Sequence, residues 1–256
     1  MTFIFGVTGK GGVGKTTFAA LLIRALIEKK LGVVLAVDAD PNYNLNEKLG
    51  VKIENTIGGL REDIVKAVDS LPSSMSKHDY VEYQVRMALT ESENFDLLVM
   101  GRQEGPGCYC YINNILRNFV DTLSDNYDFI IIDNEAGMEH LSRRTTKAMN
   151  VLFIVSDASK IGVDTAVRIK NLSSAMELKI DNYVLIINRA PERMPAKVED
   201  ATVKQNFEEV YTLPNDDAVG TYNMEGKSLL TLPMDSKVTV EVANILSKVL
   251  EEKKGG

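Results

Sequence analysis

The run Gly9-Lys10-Gly11-Gly12-Val13-Gly14-Lys15-Thr16-Thr17 constrains this chain more than any other stretch. It follows a short apolar run, Phe3, Ile4, Phe5 and Val7, and precedes an amphipathic run that begins at Phe18. Strand, glycine turn and helix in that order is the setting in which G-x-x-x-x-G-K-[ST] forms a phosphate cradle. The glycines let the backbone curl until consecutive N–H groups converge on phosphate oxygens, and the helix N-terminus adds its partial positive charge. Lys15 is expected along the β- and γ-phosphates, with the Thr16 hydroxyl on Mg²⁺. The structural alternative, a glycine-rich turn with a surface lysine, does not require the whole motif in this context. The loop is expected to bind a nucleoside triphosphate.

Around it the chain reads as alternating strands and helices. Residues 33–37 are apolar on both faces, as in a fully buried parallel strand, and further apolar strands are expected at 97–100, 129–133, 151–155 and 183–187. Helical periodicity covers Phe18, Leu21, Leu22, Ala25 and Leu26, then residues 163–176, then a last helix from about 236 with Val238, Val242, Ile245, Leu246 and Val249 on one face. Mixed helical segments are expected over 56–90, broken near Pro72, and another helix from about Ile112. This alternation indicates an α/β fold, a mostly parallel sheet flanked by helices on both faces. Residues 1–256 show no repeat and no linker, and are expected to form one domain.

Composition excludes several partners. A formal net charge of −7 argues against nucleic acid as the main one. No apolar run approaches the ~20 residues that a membrane helix needs, and the first eight residues lack the positive start of a signal peptide. Two cysteines are too few for a disulfide framework, which favours a reducing cytoplasm.

Lys10 is an addition that the plain motif does not require. Its side chain is long for folding back on its own loop's phosphates, and it is expected either to point across an interface or to be solvated. K-G-G-V-G-K-T-T resembles the deviant Walker A of the nitrogenase-iron-protein/MinD class of P-loop ATPases. In that class the early lysine contacts the nucleotide of a facing subunit, so the resemblance implies an ATP-dependent homodimer. It also implies contact of Gly9, Gly11, Gly12, Val13, Gly14, Lys15, Thr16 and Thr17 with ATP or ADP.

Asp38, Asp40 and Asp133 all follow strand ends, where ligands of open parallel sheets bind. Each taken alone fits an N-cap or loop residue; beside a phosphate loop, three together favour function. Asp133 resembles the Walker B acid that supports Mg²⁺. Asp38-Ala39-Asp40-Pro41 resembles switch I of the class, which implies that Asp40 positions the attacking water and Asp38 assists at Mg²⁺ or the water, with the division between them open. Asp133 to Gly137 resembles switch II. Asn188 and Pro214 resemble the two residues that hold the adenine edges.

Cys108-x-Cys110 separates this chain from a generic ATPase. In an extended segment residues two apart project the same way, so two thiolates make half of a tetrahedral soft-metal site. A two-fold dimer would supply the other half, for Ni²⁺ or Zn²⁺. Two buried inert cysteines are the alternative. Gly107-Cys108-Tyr109-Cys110 with Asn113, and Glu139-His140-Leu141 with Arg143, resemble the CooC-type nickel-insertion ATPases and the similar AcsF proteins. That resemblance implies a nickel metallochaperone serving apo carbon monoxide dehydrogenase or acetyl-CoA synthase. The competing expectation is a MinD/ParA-like positioning ATPase, which would need a membrane-seeking helix or a DNA-binding surface.

Overall fold

The computed structural model describes residues 2–60, 76–102, 124–136, 148–176, 178–191, 203 and 206–252. Eight strands form a single sheet: β1 (Phe3–Gly9), β2 (Val34–Asp38), β3 (Thr90–Glu91), β4 (Asp96–Val99), β5 (Phe129–Asp133), β6 (Ala148–Ser156), β7 (Lys179–Ala190) and β8 (Glu209–Pro214). Their order is β3-β4-β2-β5-β1-β6-β7-β8, and every pairing is parallel except β3 with β4. The described helices are α1 (Lys15–Glu28), α2 (Leu45–Leu49), α3 (Lys77–Met87), α4 (Lys160–Ala175), α5 (Asp217–Glu225) and α6 (Lys237–Glu252).

Strand alternation assigns the faces. On β2, Val34 and Ala36 join the layer containing α1 and α6, while Leu35 and Val37 face the opposite layer with Val85 of α3. Residues of α4 (Val163, Ala166, Ile169) cover the same opposite side farther along, over β6 and β7. On the α1 side Phe5, Phe18 and Phe153 form the centre, with ring centroids 5.7 Å apart for Phe5–Phe153 and 5.1 Å for Phe18–Phe153. Burial on both faces explains why the strands read as unbroken apolar runs.

The expected strands all occur, some longer than their apolar cores. The antiparallel β3, the five-residue α2 and the helix α5 carry no periodic signal. α5 has no fully buried residue, and its core-facing side is only one turn long, Ala218, Val219 and Tyr222, too short to read as a period. The expected helix near Ile112 lies outside the described residues.

Candidate nucleotide-binding site

Parallel pairing brings the ends of β1, β2, β5, β6 and β7 to one edge of the sheet, and the glycine loop leaves from the middle of it. Gly9 has φ 149°, and a Cβ there would stand 2.1 Å from the carbonyl oxygen of Val155 on β6. Only glycine lets β1 exit so close to its neighbour. Gly12 and Gly14 have φ of 79° and 97°. Gly14 is the N-cap of α1, and no side chain caps that end or competes there for the first-turn N–H groups.

Lys15 opens α1 and is buried; its Nζ donates to the carbonyl of Lys10 at 3.3 Å. Burial lowers its pKa, and the charges of Asp133, Asp40 and Glu135 pull the other way. Lys10, in contrast, is exposed.

Asp38 and Asp133 are register partners on adjacent strands, and their carboxylates are both buried. The oxygens of Asp38 accept the N–H groups of Asp40 at 3.0 Å and of Asn44 and Leu45 at 2.9 Å, so this acid shapes its own loop. Burial raises its pKa to about 6, offset in part by those bonds. Asp133 is pushed up to about 8, chiefly by burial and then by the Asp38 charge, against the Thr16 hydroxyl and the Lys15 ammonium. Its Oδ1 is buried with no hydrogen-bond partner among the described residues. A buried acid with an open acceptor, beside a hydroxyl and an ammonium, fits a hard cation that arrives with phosphate oxygens. Asp40 is less buried; it accepts the Asn42 N–H at 2.8 Å and acts on Lys15.

Next to the loop lies an open pocket of about 560 Å³, bordered by Gly14, Asn188, Pro214, Val219, Gly220 and Met224 among others. Asn188 Nδ2 donates to the Val13 carbonyl at 2.7 Å. The fold thus gathers the loop, Asp38, Asp40, Asp133, Asn188 and Pro214 at one edge. Cys108, Cys110, Asn113, Gly137, Glu139, His140, Leu141 and Arg143 lie outside the described residues. Among the described residues no group of three or more His, Cys, Asp or Glu is placed to hold a metal ion.

Three residues near the loop escaped the sequence reading. Glu135, inside the stretch that resembles switch II but given no role of its own there, acts electrostatically on Lys15. Asp157 follows β6 and feels both Lys10 and Arg189. Arg189 donates from Nη2 to the Gly12 carbonyl at 2.8 Å, and no motif marks it.

Residues 1–182 match the family model described as AAA domain. The chain belongs to that family. Within it, the chain falls in the MinD/ParA class of deviant Walker P-loop ATPases. An ATP-binding protein of Methanocaldococcus jannaschii is similar at 42% identity, covering 98% of this chain and 99% of its own length. The carbon monoxide dehydrogenase accessory protein CooC of Rhodospirillum rubrum is 28% identical, covering 97% and 96%. The fold matches the cell division ATPase MinD of Pyrococcus furiosus with TM-score 0.69 at 22% identity, over 97% of this chain and 100% of that one. The family's single α/β unit with a mostly parallel eight-stranded sheet is the architecture seen here. No helix among the described residues is long and apolar enough to cross a membrane.

Proposed function

We propose that this chain is an ATP-hydrolysing metallochaperone that inserts nickel into carbon monoxide dehydrogenase or acetyl-CoA synthase. The observation that carries this reading is Gly107-Cys108-Tyr109-Cys110 in a chain that aligns nearly end to end with CooC. The metal is cargo, held at a homodimer interface by Cys108 and Cys110 from each copy; Zn²⁺ fits the same thiolates.

In this reading the N–H groups of the Gly9–Thr17 loop and the Lys15 ammonium bind the phosphates of ATP. Thr16 and Asp133 would hold Mg²⁺, which when bound would supply neutralisation of phosphate charge. Asp40 orients the attacking water, because Asp38 has its oxygens committed to backbone N–H groups and acts by shaping the loop. Asn188 and Pro214 line the pocket for the base. Lys10, exposed at the loop's tip, reaches the nucleotide of the facing copy. Loss of the γ-phosphate relaxes that interface, and each separated pair of thiolates grips a divalent ion less firmly than four together.

Bound nickel and molar mass, measured together with and without ADP or ATP, test the proposal. The expected result is one ion shared by two chains, lost in Cys108→Ser while ADP still binds. Unchanged metal content in that variant would overturn the assignment. The MinD-like fold also suits a positioning ATPase, but α6 lacks the Lys/Arg-rich polar face and the bulky aromatic anchors of an interfacial helix. ATP-dependent co-sedimentation with vesicles or DNA would favour that second function.

A further inference from the structure

The end of β7 is out of step with its neighbour. Ile187 pairs with Thr212 and Ala190 with Pro214, so β7 crosses that interval with one residue more than β8. The surplus falls at Asn188–Arg189, and Arg189 has φ 52°, a left-handed conformation that is unfavourable for a residue with a Cβ. Bulges of this kind re-aim side chains, commonly beside functional sites.

Here both re-aimed side chains go to the phosphate loop. Asn188 Nδ2 donates to the Val13 carbonyl at 2.7 Å, and Arg189 Nη2 to the Gly12 carbonyl at 2.8 Å. The Arg189 N–H donates in turn to Asn188 Oδ1 at 2.9 Å, which fixes the orientation of the amide. Gly14 leaves room for this arrangement, since a Cβ there would stand 2.4 Å from Asn188 Nδ2. All peptides of the described chain are trans. In a trans peptide the carbonyl of one residue and the N–H of the next point in opposite directions. Drawing the oxygens of Gly12 and Val13 toward β7 therefore turns the N–H groups of Val13 and Gly14 away from it. That is how a loop must present its donors to bind an anion.

We propose that Arg189 is a positioning residue for phosphate binding: its guanidinium, together with the Asn188 amide, latches the loop with its N–H donors already turned to the ligand. The inference rests on the nucleotide reading of the loop and is independent of any metal cargo. A loop held in its binding conformation loses less conformational freedom on binding.

The test compares Arg189→Gly and Arg189→Lys with the unaltered chain, using ADP, inorganic pyrophosphate and adenosine as probes. Glycine accepts φ 52° without strain, so its variant is expected to melt no lower in the absence of ligand. Its affinity for ADP and for pyrophosphate is expected to fall about tenfold, the scale of one hydrogen bond from a charged donor, and that for adenosine, whose pocket Arg189 borders, by much less. Arg189→Lys, which keeps the charge and one donor, should recover part of the loss. Pyrophosphate binding at the unaltered level in Arg189→Gly, when Lys15→Ala has lost it, overturns the latch and leaves the nucleotide site standing. Equal losses for ADP and adenosine also overturn it, since the residue would then act on the base. Failure of the unaltered chain to bind ADP or pyrophosphate overturns both readings.

Discussion

Asp38 and Asp133 stand side by side at the ends of adjacent strands, and both are buried. Their raised pKa values, about 6 and about 8 against an ordinary 3.8, mean that the folded chain holds these protons more tightly than the unfolded one. The unliganded protein therefore loses stability as pH rises from about 4 through 6, and on toward 8 for Asp133. For Asp38 the loss is roughly 3 kcal/mol. Denaturant unfolding at pH 4 and pH 8.5 should show this fall, and a smaller one in Asp133→Asn; parallel slopes would mean that the acid carries no such burden. Gly9→Ala places a Cβ against the Val155 carbonyl in a left-handed conformation and should cost about 3 kcal/mol. An unshifted unfolding midpoint would show that β1 and β6 do not meet this closely. Residue types were legible at this scale: Lys15, Thr16 and the three aspartates follow from motif and strand ends. What Asp38 does with its oxygens was not, because its partners are backbone N–H groups of a loop without periodicity.

Among elements, α5 shows what a sequence conceals. The helix has no fully buried residue, rests on the core through Ala218, Val219 and Tyr222, and lies along the wall of the pocket next to the loop. Its signals are at its ends, Asp216 as N-cap and left-handed Gly226 after the last turn. Asp216 does more than cap: besides the Ala218 N–H at 3.0 Å it accepts the Ser236 hydroxyl at 2.7 Å and the Val238 N–H at 3.3 Å, tying α5 to the start of α6. Asp216→Ala should lower stability by about 1–2 kcal/mol. It should also weaken ADP binding while sparing pyrophosphate, whereas Arg189→Gly weakens both, and calorimetry with the two ligands would separate the variants. The apolar strands were legible because both faces are covered, whereas β3 is two residues long at the sheet's edge and offers no pattern.

For the molecule as a whole, the central position of β1 decides where the chemistry sits. Its neighbours β5 and β6 come from the middle of the chain, and the loop it launches is bordered by acids from β2 and β5 and by β7 on the other side. Lys10 remains exposed at that edge, as a residue that acts on a second copy must be. Lys10→Ala is expected to bind ADP like the unaltered chain but to stay monomeric with ATP in light scattering. Nucleotide-dependent dimers of that variant would assign the lysine to solvent.

The sequence by itself determined the phosphate loop, the alternation of strands and helices, and the acids at strand ends. These depend on spacing within a few residues, where backbone geometry alone fixes which side chains share a face. Tertiary structure alone decided that Asp38 faces Asp133 in register and that a bulge in β7 carries Arg189 to Gly12, 177 positions away. Contacts of that kind join segments whose separation leaves no local trace, and they exist only once the sheet has set its strand order.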